Sequence, residues 1–325
     1  MSKTRVAVLR GGPSEEFEVS LRTGAEVLRA IDKSRFEPID ITITRSGEWL
    51  HEGRTRYPEH VIPTFDVVFI ALHGAYGEDG RVQRLLDRYG VSYTGSGAYA
   101  SSIAMHKGYT KEHVQGLSFK LPQHATLTKS DHKTGRQYAG DIRERFGPQY
   151  VLKPISSGSS VGITLVLDTL DLASAIDTIL ANYDEILVEE YIPGREVTCG
   201  VVERFRSHDL YALPPIEIVP PPSADFFSYD VKYDGSTQEI CPAPLPHSVK
   251  HDIEYAAQEV HTALGLRQYS RSDFILGRDG LYFLEVNTLP GLTAESLLPK
   301  SLHAVGATYE GFVNHLIEDA QRVKC

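Results

Sequence analysis

Short apolar runs alternate with helical spacing along the first part of the chain. The apolar runs lie at residues 5–9, 39–43, 65–72 and 91–93, and helical patterns lie near residues 20–31 and 81–89. Repetition of strand and helix in this order is typical of a parallel sheet covered by helices. We therefore predict an N-terminal, Rossmann-like α/β domain over residues 1–95.

The hydrophobic pattern changes twice further along. A long helical stretch, then a strand at 150–153 followed by a Gly and Ser loop, predicts a small central domain over residues 96–189. After that point strands predominate, at 196–202 and 211–219, followed by a polar loop, an amphipathic helix and a closing hairpin. We assign residues 190–325 to a third domain built on an antiparallel sheet.

Composition and charge narrow the class of partner. The 325-residue chain is 41% hydrophobic and 23% charged, as soluble globular proteins are, and its formal net charge is -10. Nucleic acids and anionic membranes require clustered Lys and Arg, so we expect neither, and a small-molecule ligand is favoured. The three cysteines lack disulfide or metal-ligand spacing, and no apolar run is long enough to span a membrane, so we expect a cytoplasmic protein.

The pattern near the end of the chain is the most informative. Two apolar strands flank Gly277-Arg278-Asp279-Gly280, a strong hairpin signal. A turn centred on the Asp of this segment would place Asp273 opposite Glu285 and Arg271 opposite Asn287. All four side chains would then share one face of the sheet, because side chains alternate along a strand.

The acidic side chains of this face, Asp273 and Glu285, predict a metal site together with Asn287. Two carboxylates on one face repel each other unless a cation lies between them, and hard oxygen ligands suit Mg²⁺, which completes its shell with phosphates and water. The alternative is a solvated outer face with an Arg-to-carboxylate pair. A one-residue bulge would break the arrangement.

Two loops that contain glycine follow predicted strands. Lys153 stands at a strand end before a Gly and Ser run that reaches Gly162, which indicates a phosphate cradle, although a flexible surface loop fits equally well. Residues 11–20 follow the first strand, and Glu16 there could hold a substrate ammonium group or simply begin a helix. The GxGxxG dinucleotide fingerprint is absent, which disfavours an oxidoreductase.

In their order along the chain, these segments closely resemble the D-alanine-D-alanine ligase family of the ATP-grasp superfamily. The resemblance covers nearly the whole chain and rests on Gly11-Gly12 with Glu18-Val19-Ser20, Leu72-His73-Gly74, Gly77-Glu78-Asp79-Gly80, Gly95-Ser96-Gly97, Lys153-Pro154 with Gly158-Ser159-Ser160-Val161-Gly162, Val188-Glu189-Glu190-Tyr191, Tyr229-Asp230-Val231-Lys232-Tyr233 and Glu285-Val286-Asn287-Thr288-Leu289-Pro290-Gly291-Leu292-Thr293. It implies an ATP-grasp fold, ATP-dependent joining of two D-alanine molecules for peptidoglycan precursors, and a homodimer.

The resemblance also implies a nucleotide and metal site. It assigns Lys107 and Lys153 to the α- and β-phosphates, Ser160 and Lys232 to the same nucleotide, Glu189, Glu190 and Ile192 to adenine, Glu196 to the ribose, and Asp273, Glu285 and Asn287 to two Mg²⁺ ions, with Mn²⁺ as a substitute. These metal ligands are the residues that strand alternation places together.

For the amino acids, the resemblance implies a site beside the nucleotide. It assigns Glu16 to the ammonium of the first D-alanine, Ser159 and Tyr233 to closure over it, Arg271 to the oxyanion, Ser296 with the Leu297 amide to the second carboxylate, and His73, Lys232 and Gly291 to further substrate contacts. The implied chemistry is an acylphosphate formed at the γ-phosphate of ATP, followed by attack of the second amine.

Two positions depart from the family pattern, and several alternatives stay open. His106 stands where Asp is usual before the helical Lys, and Ser157 stands where some members have Glu. Tyr233 favours D-alanine over D-lactate as acceptor. The open alternatives are a D-alanine-D-lactate ligase, another ATP-grasp ligase of a carboxylate and an amine, a non-catalytic nucleotide sensor, and a Rossmann-type oxidoreductase.

Overall fold

A computed structural model of the chain describes residues 3–156, 162–221 and 237–322. Within these ranges the chain forms three sheets, of six, four and six strands, with helices packed against them. This mixed architecture confirms the predicted α/β fold class. Five residues for which the sequence implied a role or a departure from the family pattern lie outside the described residues, namely Ser157, Ser159, Ser160, Lys232 and Tyr233.

The first sheet follows the predicted alternation of strand and helix. Its strands are β1 (Thr4–Gly11), β2 (Phe36–Ile43), β3 (Trp49–His51), β4 (Arg54–Arg56), β5 (Val67–Ile70) and β6 (Ser92–Tyr93), with helices α1 (Phe17–Ala30), α2 (Pro58–Val61) and α3 (Arg81–Arg88) between them. The order is β4-β3-β2-β1-β5-β6, and β2, β1, β5 and β6 are parallel. The antiparallel pair β3 and β4 extends one edge and was not predicted.

The long helical stretch expected after this sheet is in fact two helices, α4 (Ala98–Met105) and α5 (Lys107–His113). His106 between them has an extended backbone, and its ring Nδ1 accepts a hydrogen bond from the Tyr109 backbone N–H at 3.2 Å. A side chain that accepts from the first turn is a helix N-cap. The predicted helical stretch is therefore present but interrupted, and the break fixes where Lys107 begins α5.

The second sheet is antiparallel, with order β7-β10-β8-β9. Its strands are β7 (His124–Thr128), β8 (Tyr150–Pro154), β9 (Thr164–Val166) and β10 (Glu185–Glu190), and helices α6 (Gly135–Arg143) and α7 (Leu172–Asn182) bury their apolar faces with it. Because β8 and β10 are neighbours, Lys153 lies directly across from Leu187, two residues before Glu189.

The third sheet is also antiparallel, as predicted. Its strands are β11 (Gly194–Phe205), β12 (His208–Ala212), β13 (Ile216–Val219), β14 (Gln238–Ile240), β15 (Tyr269–Gly277) and β16 (Gly280–Asn287), followed by α9 (Leu297–Ala304) and α10 (Tyr309–Arg322); α8 (His247–Ala263) packs on it. The strand predicted over 211–219 is split into β12 and β13. Pro214 and Pro215 separate the two, since proline cannot donate to a sheet ladder.

Buried apolar side chains form three large clusters. One joins the first sheet to α10, the second joins the third sheet to α8 and includes Ala100 and Ala104 of α4, and the third fills the space between the second sheet and its helices. The domain boundaries at 95/96 and 189/190 stay a prediction. In the described part of the chain, no helix is both long and apolar enough to cross a membrane.

Candidate active site

The β15–β16 hairpin turns earlier than the sequence indicated. Its two turn residues are Arg278 and Asp279, enclosed by the pair Gly277 and Gly280. The turn is thus centred between these two residues and not on Asp279. Without another irregularity, this would shift every cross-strand pair by one residue and move side chains to the opposite face.

A β-bulge restores the predicted pairing of the four residues on the acidic face. Both expected pairs are present, Asp273 with Glu285 and Arg271 with Asn287. The register shifts between Asp273 and the next residue, which leaves Leu284 as the extra residue of β16. From the sequence, a one-residue bulge was expected to break the arrangement. It instead compensates for the shorter turn, so that the predicted face is formed.

Asp273 has the densest set of contacts on this face. Its carboxylate accepts two hydrogen bonds from Arg271, from Nε and Nη2 at 2.9 Å each, one from Thr198 Oγ1 at 2.5 Å and one from Asn287 Nδ2 at 3.1 Å. The alternative interpretation of this face was an Arg-to-carboxylate pair exposed to solvent. The pair exists, but the Arg271 and Asp273 side chains are each only 11% exposed, so the face is not solvated there. Burial disfavours the Arg271 charge, yet Asp273 outweighs it and raises the pKa of Arg271 above its ordinary value.

Three lysines converge on two glutamates beside this face. Lys107 Nζ lies 3.3 Å from Glu285 Oε2, and Lys111 and Lys153 each place Nζ 2.6 Å from a different oxygen of Glu189. The Lys side chains are all more than nine-tenths buried. Burial disfavours the Glu189 anion, but the two ammonium groups outweigh it and lower the pKa of Glu189 to about 2.

One pocket lies between the second and third sheets. It is lined by Pro122, Val151, Lys153, Ile163, Glu189, Glu190, Tyr191, Ile192, Glu196, Ile218, Arg271, Asp273, Ile275, Leu284, Glu285 and Leu297. All the nucleotide-binding residues predicted within the described ranges line it except Lys107, which lines a smaller neighbouring pocket that also contains Glu285. An apolar slot bordered by lysines and carboxylates can hold a purine base together with its phosphates.

A second pocket adjoins the first, since Arg271 and Leu297 line both. The predicted substrate residues within the described ranges all line it, namely Glu16, His73, Gly291, Ser296 and Leu297. Glu78 and Asn287 line it as well. The tertiary structure thus brings together residues from the start of the first sheet and from the end of the third. This pocket carries both acidic and basic groups, as a site for a zwitterion requires.

His73 is held from three sides within the second pocket. Its Nε2 lies 2.8 Å from Thr23 Oγ1, and its Nδ1 lies 3.0 Å from the Leu289 carbonyl and 3.8 Å from Glu78 Oε1. Burial disfavours the imidazolium, but the Glu78 carboxylate outweighs it and raises the pKa of His73. Burial, with Glu16 nearby, also raises the pKa of Glu78 despite the opposing effect of His73. The pair therefore retains protons to higher pH than the separate groups.

Glu16 stands at the start of α1, as its alternative interpretation proposed. Its side chain makes no capping hydrogen bond to the helix, however, and it lines the second pocket. Gly74 allows this placement, because a Cβ on Gly74 would lie 2.7 Å from Glu16 Oε2. The positive φ of Gly74, +70°, is a second reason for glycine there.

The loop before α9 is built closely around Ser296. Ser296 Oγ accepts a hydrogen bond from the Thr293 backbone N–H at 3.1 Å. A Cβ on Gly291 would lie 2.7 Å from the same oxygen. The hydroxyl and the first backbone amides of α9 are therefore held at the second pocket, where helix N-termini favour anions such as carboxylates.

The donor types on the hairpin face fit a divalent cation. Asp273 and Glu285 offer carboxylates and Asn287 an amide oxygen, which are the ligands that Mg²⁺ prefers. Among the described residues, no group of three or more His, Cys, Asp or Glu side chains could hold a metal, so the set offered on this face is two carboxylates and one amide. Asn287 donates its Nδ2 to Asp273, and rotation of that amide would present its oxygen and release a lone pair of the carboxylate.

Sequence reasoning missed three residues of this region. Lys111 lies one helical turn after Lys107, and this spacing was the available signal for a shared face. Glu78 lies in one of the segments that carry the family resemblance, but no role was assigned to it. Thr198 faces Asp273 from β11, and only strand pairing brings them together.

Family models and curated proteins match nearly the whole chain. The models described as D-ala D-ala ligase N-terminus and C-terminus match residues 5–62 with 53–96, and residues 114–318. The D-alanine-D-alanine ligase of Desulfotalea psychrophila is 38% identical over 322 residues, which are 97% of this chain and 94% of that protein. The ligase of Bacillus anthracis is 35% identical over 321 residues, 98% of each chain.

Solved structures agree in fold. A D-Ala:D-Ser ligase from Enterococcus faecalis superposes with a TM-score of 0.85 at 29% identity, covering 98% of this chain and all of that one. The B. anthracis D-alanine-D-alanine ligase gives a TM-score of 0.81 at 33% identity over 99% and 98% of the two chains, and its complex with ATP gives 0.81 at 32%. On its sequence, its architecture and the two adjoining pockets, this chain belongs to the D-alanine-D-alanine ligase family.

Proposed function

We propose that this chain uses ATP to join two D-alanine molecules into D-alanyl-D-alanine, a building block of peptidoglycan precursors. The observation that supports it most directly is the junction of two pockets at Arg271. One pocket carries lysines and carboxylates suited to a nucleotide, and the other carries groups suited to an amino acid. A phosphoryl group could therefore pass from ATP to a carboxylate without either substrate leaving.

The reaction follows from the groups at this junction. The carboxylate of the first D-alanine, whose ammonium is held by Glu16, attacks the γ-phosphorus of ATP, and ADP leaves as an acylphosphate forms. The amine of the second D-alanine attacks the acyl carbon, Arg271 donates hydrogen bonds to the oxyanion, and phosphate and a proton are released. Lys107 and Lys153 balance the charge of the phosphates.

Asp273, Glu285 and Asn287 are the proposed ligands of Mg²⁺, with Mn²⁺ as a substitute. Mg²⁺ bound there would supply charge neutralisation at the transferred phosphoryl group. Ser159, Ser160, Lys232 and Tyr233 keep the roles that the family resemblance implies. A homodimer in the cytoplasm, where ATP is available, belongs to the same proposal, and light scattering of the purified chain tests the dimer.

The test is phosphate release with ATP, Mg²⁺ and either enantiomer of alanine. We expect turnover with D-alanine and none with L-alanine. Loss of a metal ligand removes several kcal/mol of transition-state stabilisation, so Asp273→Asn and Glu285→Gln should each lower kcat by about 100-fold or more. Asp279→Asn is the matched control, because this exposed carboxylate lies in the turn of the same hairpin, paired with Lys120.

Each alternative predicts a different result in this assay. A nucleotide sensor would bind ATP without releasing phosphate when D-alanine is supplied. Unchanged turnover in both metal-ligand variants would exclude the proposed metal site. The fold similarity to a D-Ala:D-Ser ligase makes the acceptor a separate question, so mass spectrometry of products formed with D-alanine plus D-serine or D-lactate decides it.

A further inference from the structure

Lys111 is the most deeply buried charged residue beside the nucleotide pocket. Its side chain is fully buried, and it lies on α5 one turn after Lys107, on the same helix face. A lysine is almost never fully buried unless its ammonium is paired. The groups that contact the Lys111 ammonium therefore indicate the role of this residue.

The partner of Lys111 is already shared with a phosphate-binding residue. Glu189 gives one oxygen to Lys111 Nζ and the other to Lys153 Nζ, each at 2.6 Å, and is itself only 2% exposed. One carboxylate thus balances two ammonium groups. The group of three keeps a net charge of +1 next to the pocket, which attracts an anion.

Lys111 also contacts the hairpin that carries the acidic face. Its Nζ lies 3.5 Å from the Phe283 carbonyl and 3.4 Å from the Leu284 carbonyl. Leu284 is the bulge residue, and Glu285 follows it. A single ammonium therefore joins α5, β10 and the bulge of β16.

We propose that Lys111 is a positioning residue of the nucleotide site, which holds Lys153 in place through Glu189 and fixes the bulge that presents Glu285. The proposal rests on the proposed use of ATP. Without Lys111, the Glu189 carboxylate would be neutralised by Lys153 alone, and the net charge of the group would fall from +1 to zero.

The experiment compares nucleotide binding in four proteins, the wild type, Lys111→Met, Glu189→Gln and the double variant, by calorimetric titration with a non-hydrolysable ATP analogue and Mg²⁺. Lys111→Met should raise the Kd of the analogue roughly 10- to 100-fold, because the net charge beside the pocket falls by one unit and Glu189 and Lys153 lose the group that holds them. In the Glu189→Gln background the same substitution should raise Kd by a clearly smaller factor, because the carboxylate through which Lys111 holds Lys153 is gone and only the direct effect of the Lys111 charge remains.

Kinetics separate this role from general destabilisation. Lys111→Met should raise the KM for ATP by a similar factor and leave the KM for D-alanine within about twofold, since Glu16 and His73 belong to the other pocket. If Lys111→Met does not fold, the double variant still tests the proposal, because it removes Lys111 together with the buried carboxylate that Lys111 balances. An affinity of the double variant that is about 10-fold or more below that of Glu189→Gln would then overturn the proposal.

Equal loss of affinity in both backgrounds, or an equal rise in both KM values, would overturn the proposal. So would wild-type affinity in Lys111→Met. A wild-type protein that binds no ATP analogue would instead refute the proposed function itself, so the two failures give different results.

Discussion

Two buried glutamates of this site have pKa values that are shifted in opposite directions. Glu189 and Glu78 are both buried glutamates. Burial opposes ionisation of each, but Lys111 and Lys153 outweigh it at Glu189 and hold its pKa at about 2, whereas burial and Glu16 raise the pKa of Glu78. The neighbours, and not the residue type, decide which carboxyl stays ionised.

The pKa of Glu189 predicts a pH dependence of stability. Its folded-state pKa is about 2 against an ordinary value of 4.5, so the carboxylate contributes stability that is present above pH 4.5 and is lost as the pH falls towards 2. Between pH 5.5 and 3.5 the loss from this group should be roughly 1 kcal/mol. Guanidinium unfolding at the two pH values should show a smaller decrease in Glu189→Gln than in the wild type. Glu112→Gln, an exposed glutamate of the same region, should behave like the wild type, and an identical decrease in all three proteins would contradict the prediction.

At the scale of helices and strands, two interruptions of regular elements position functional side chains. The break at His106 begins α5 at Lys107, whose backbone N–H donates to the Ile155 carbonyl at 3.0 Å at the end of β8. The bulge at Leu284 directs Glu285 to the face of Asp273. Both irregularities occur where a regular element would have carried the functional side chain to another position.

Gly291→Ala should impair the loop that leads into α9. The added Cβ would lie 2.7 Å from Ser296 Oγ, so the hydroxyl and the helix start must move. We expect the KM for the acceptor D-alanine to rise by about tenfold, the effect of losing roughly one charge-assisted hydrogen bond, while the KM for ATP stays unchanged. Steady-state kinetics with each substrate varied measures both. Gly140→Ala on α6 is the control, since a Cβ there meets nothing within 4 Å, and an equal effect of the two substitutions would contradict the role of this loop.

At the scale of the whole molecule, the site exists only where the three sheets meet. The nucleotide pocket takes residues from the second and third sheets, and the amino-acid pocket takes residues from the first and third. Arg271 on β15 lies at the junction of both. A ligand that bridges the sheets binds the folded arrangement and not the unfolded chain, so it stabilises the fold by mass action.

ATP with Mg²⁺ should therefore raise the thermal midpoint of the protein. At about 100 times the Kd the stabilisation is roughly 2.7 kcal/mol, a shift of several degrees. ATP with EDTA should give a clearly smaller shift, because Asp273 and Glu285 then repel the phosphates. Differential scanning fluorimetry measures both conditions. Equal shifts with and without the cation would show that the acidic face does not bind the metal with the nucleotide.

The sequence predicted much of this fold and part of its site. Alternation of strand and helix indicated the first sheet, and the two paired residues Asp273 and Glu285 were placed correctly even though the turn was misplaced. The short strands β3 and β4 and the two-helix form of residues 98–113 were missed. Their signals are weak, because short edge strands and caps depend on a few polar residues and not on long hydrophobic periodicity.

The sequence by itself determined the alternation of elements and the acidic hairpin, because these follow from local periodicity and chemistry. The residues suited to ATP and an amino acid followed from the resemblance of the ordered motifs to a known family. Only the tertiary structure decided that Lys111 is buried against Glu189, that Thr198 holds Asp273, and that a bulge compensates for an early turn. Such contacts join residues distant in sequence, and their energies depend on burial and neighbouring charge, which no local pattern specifies.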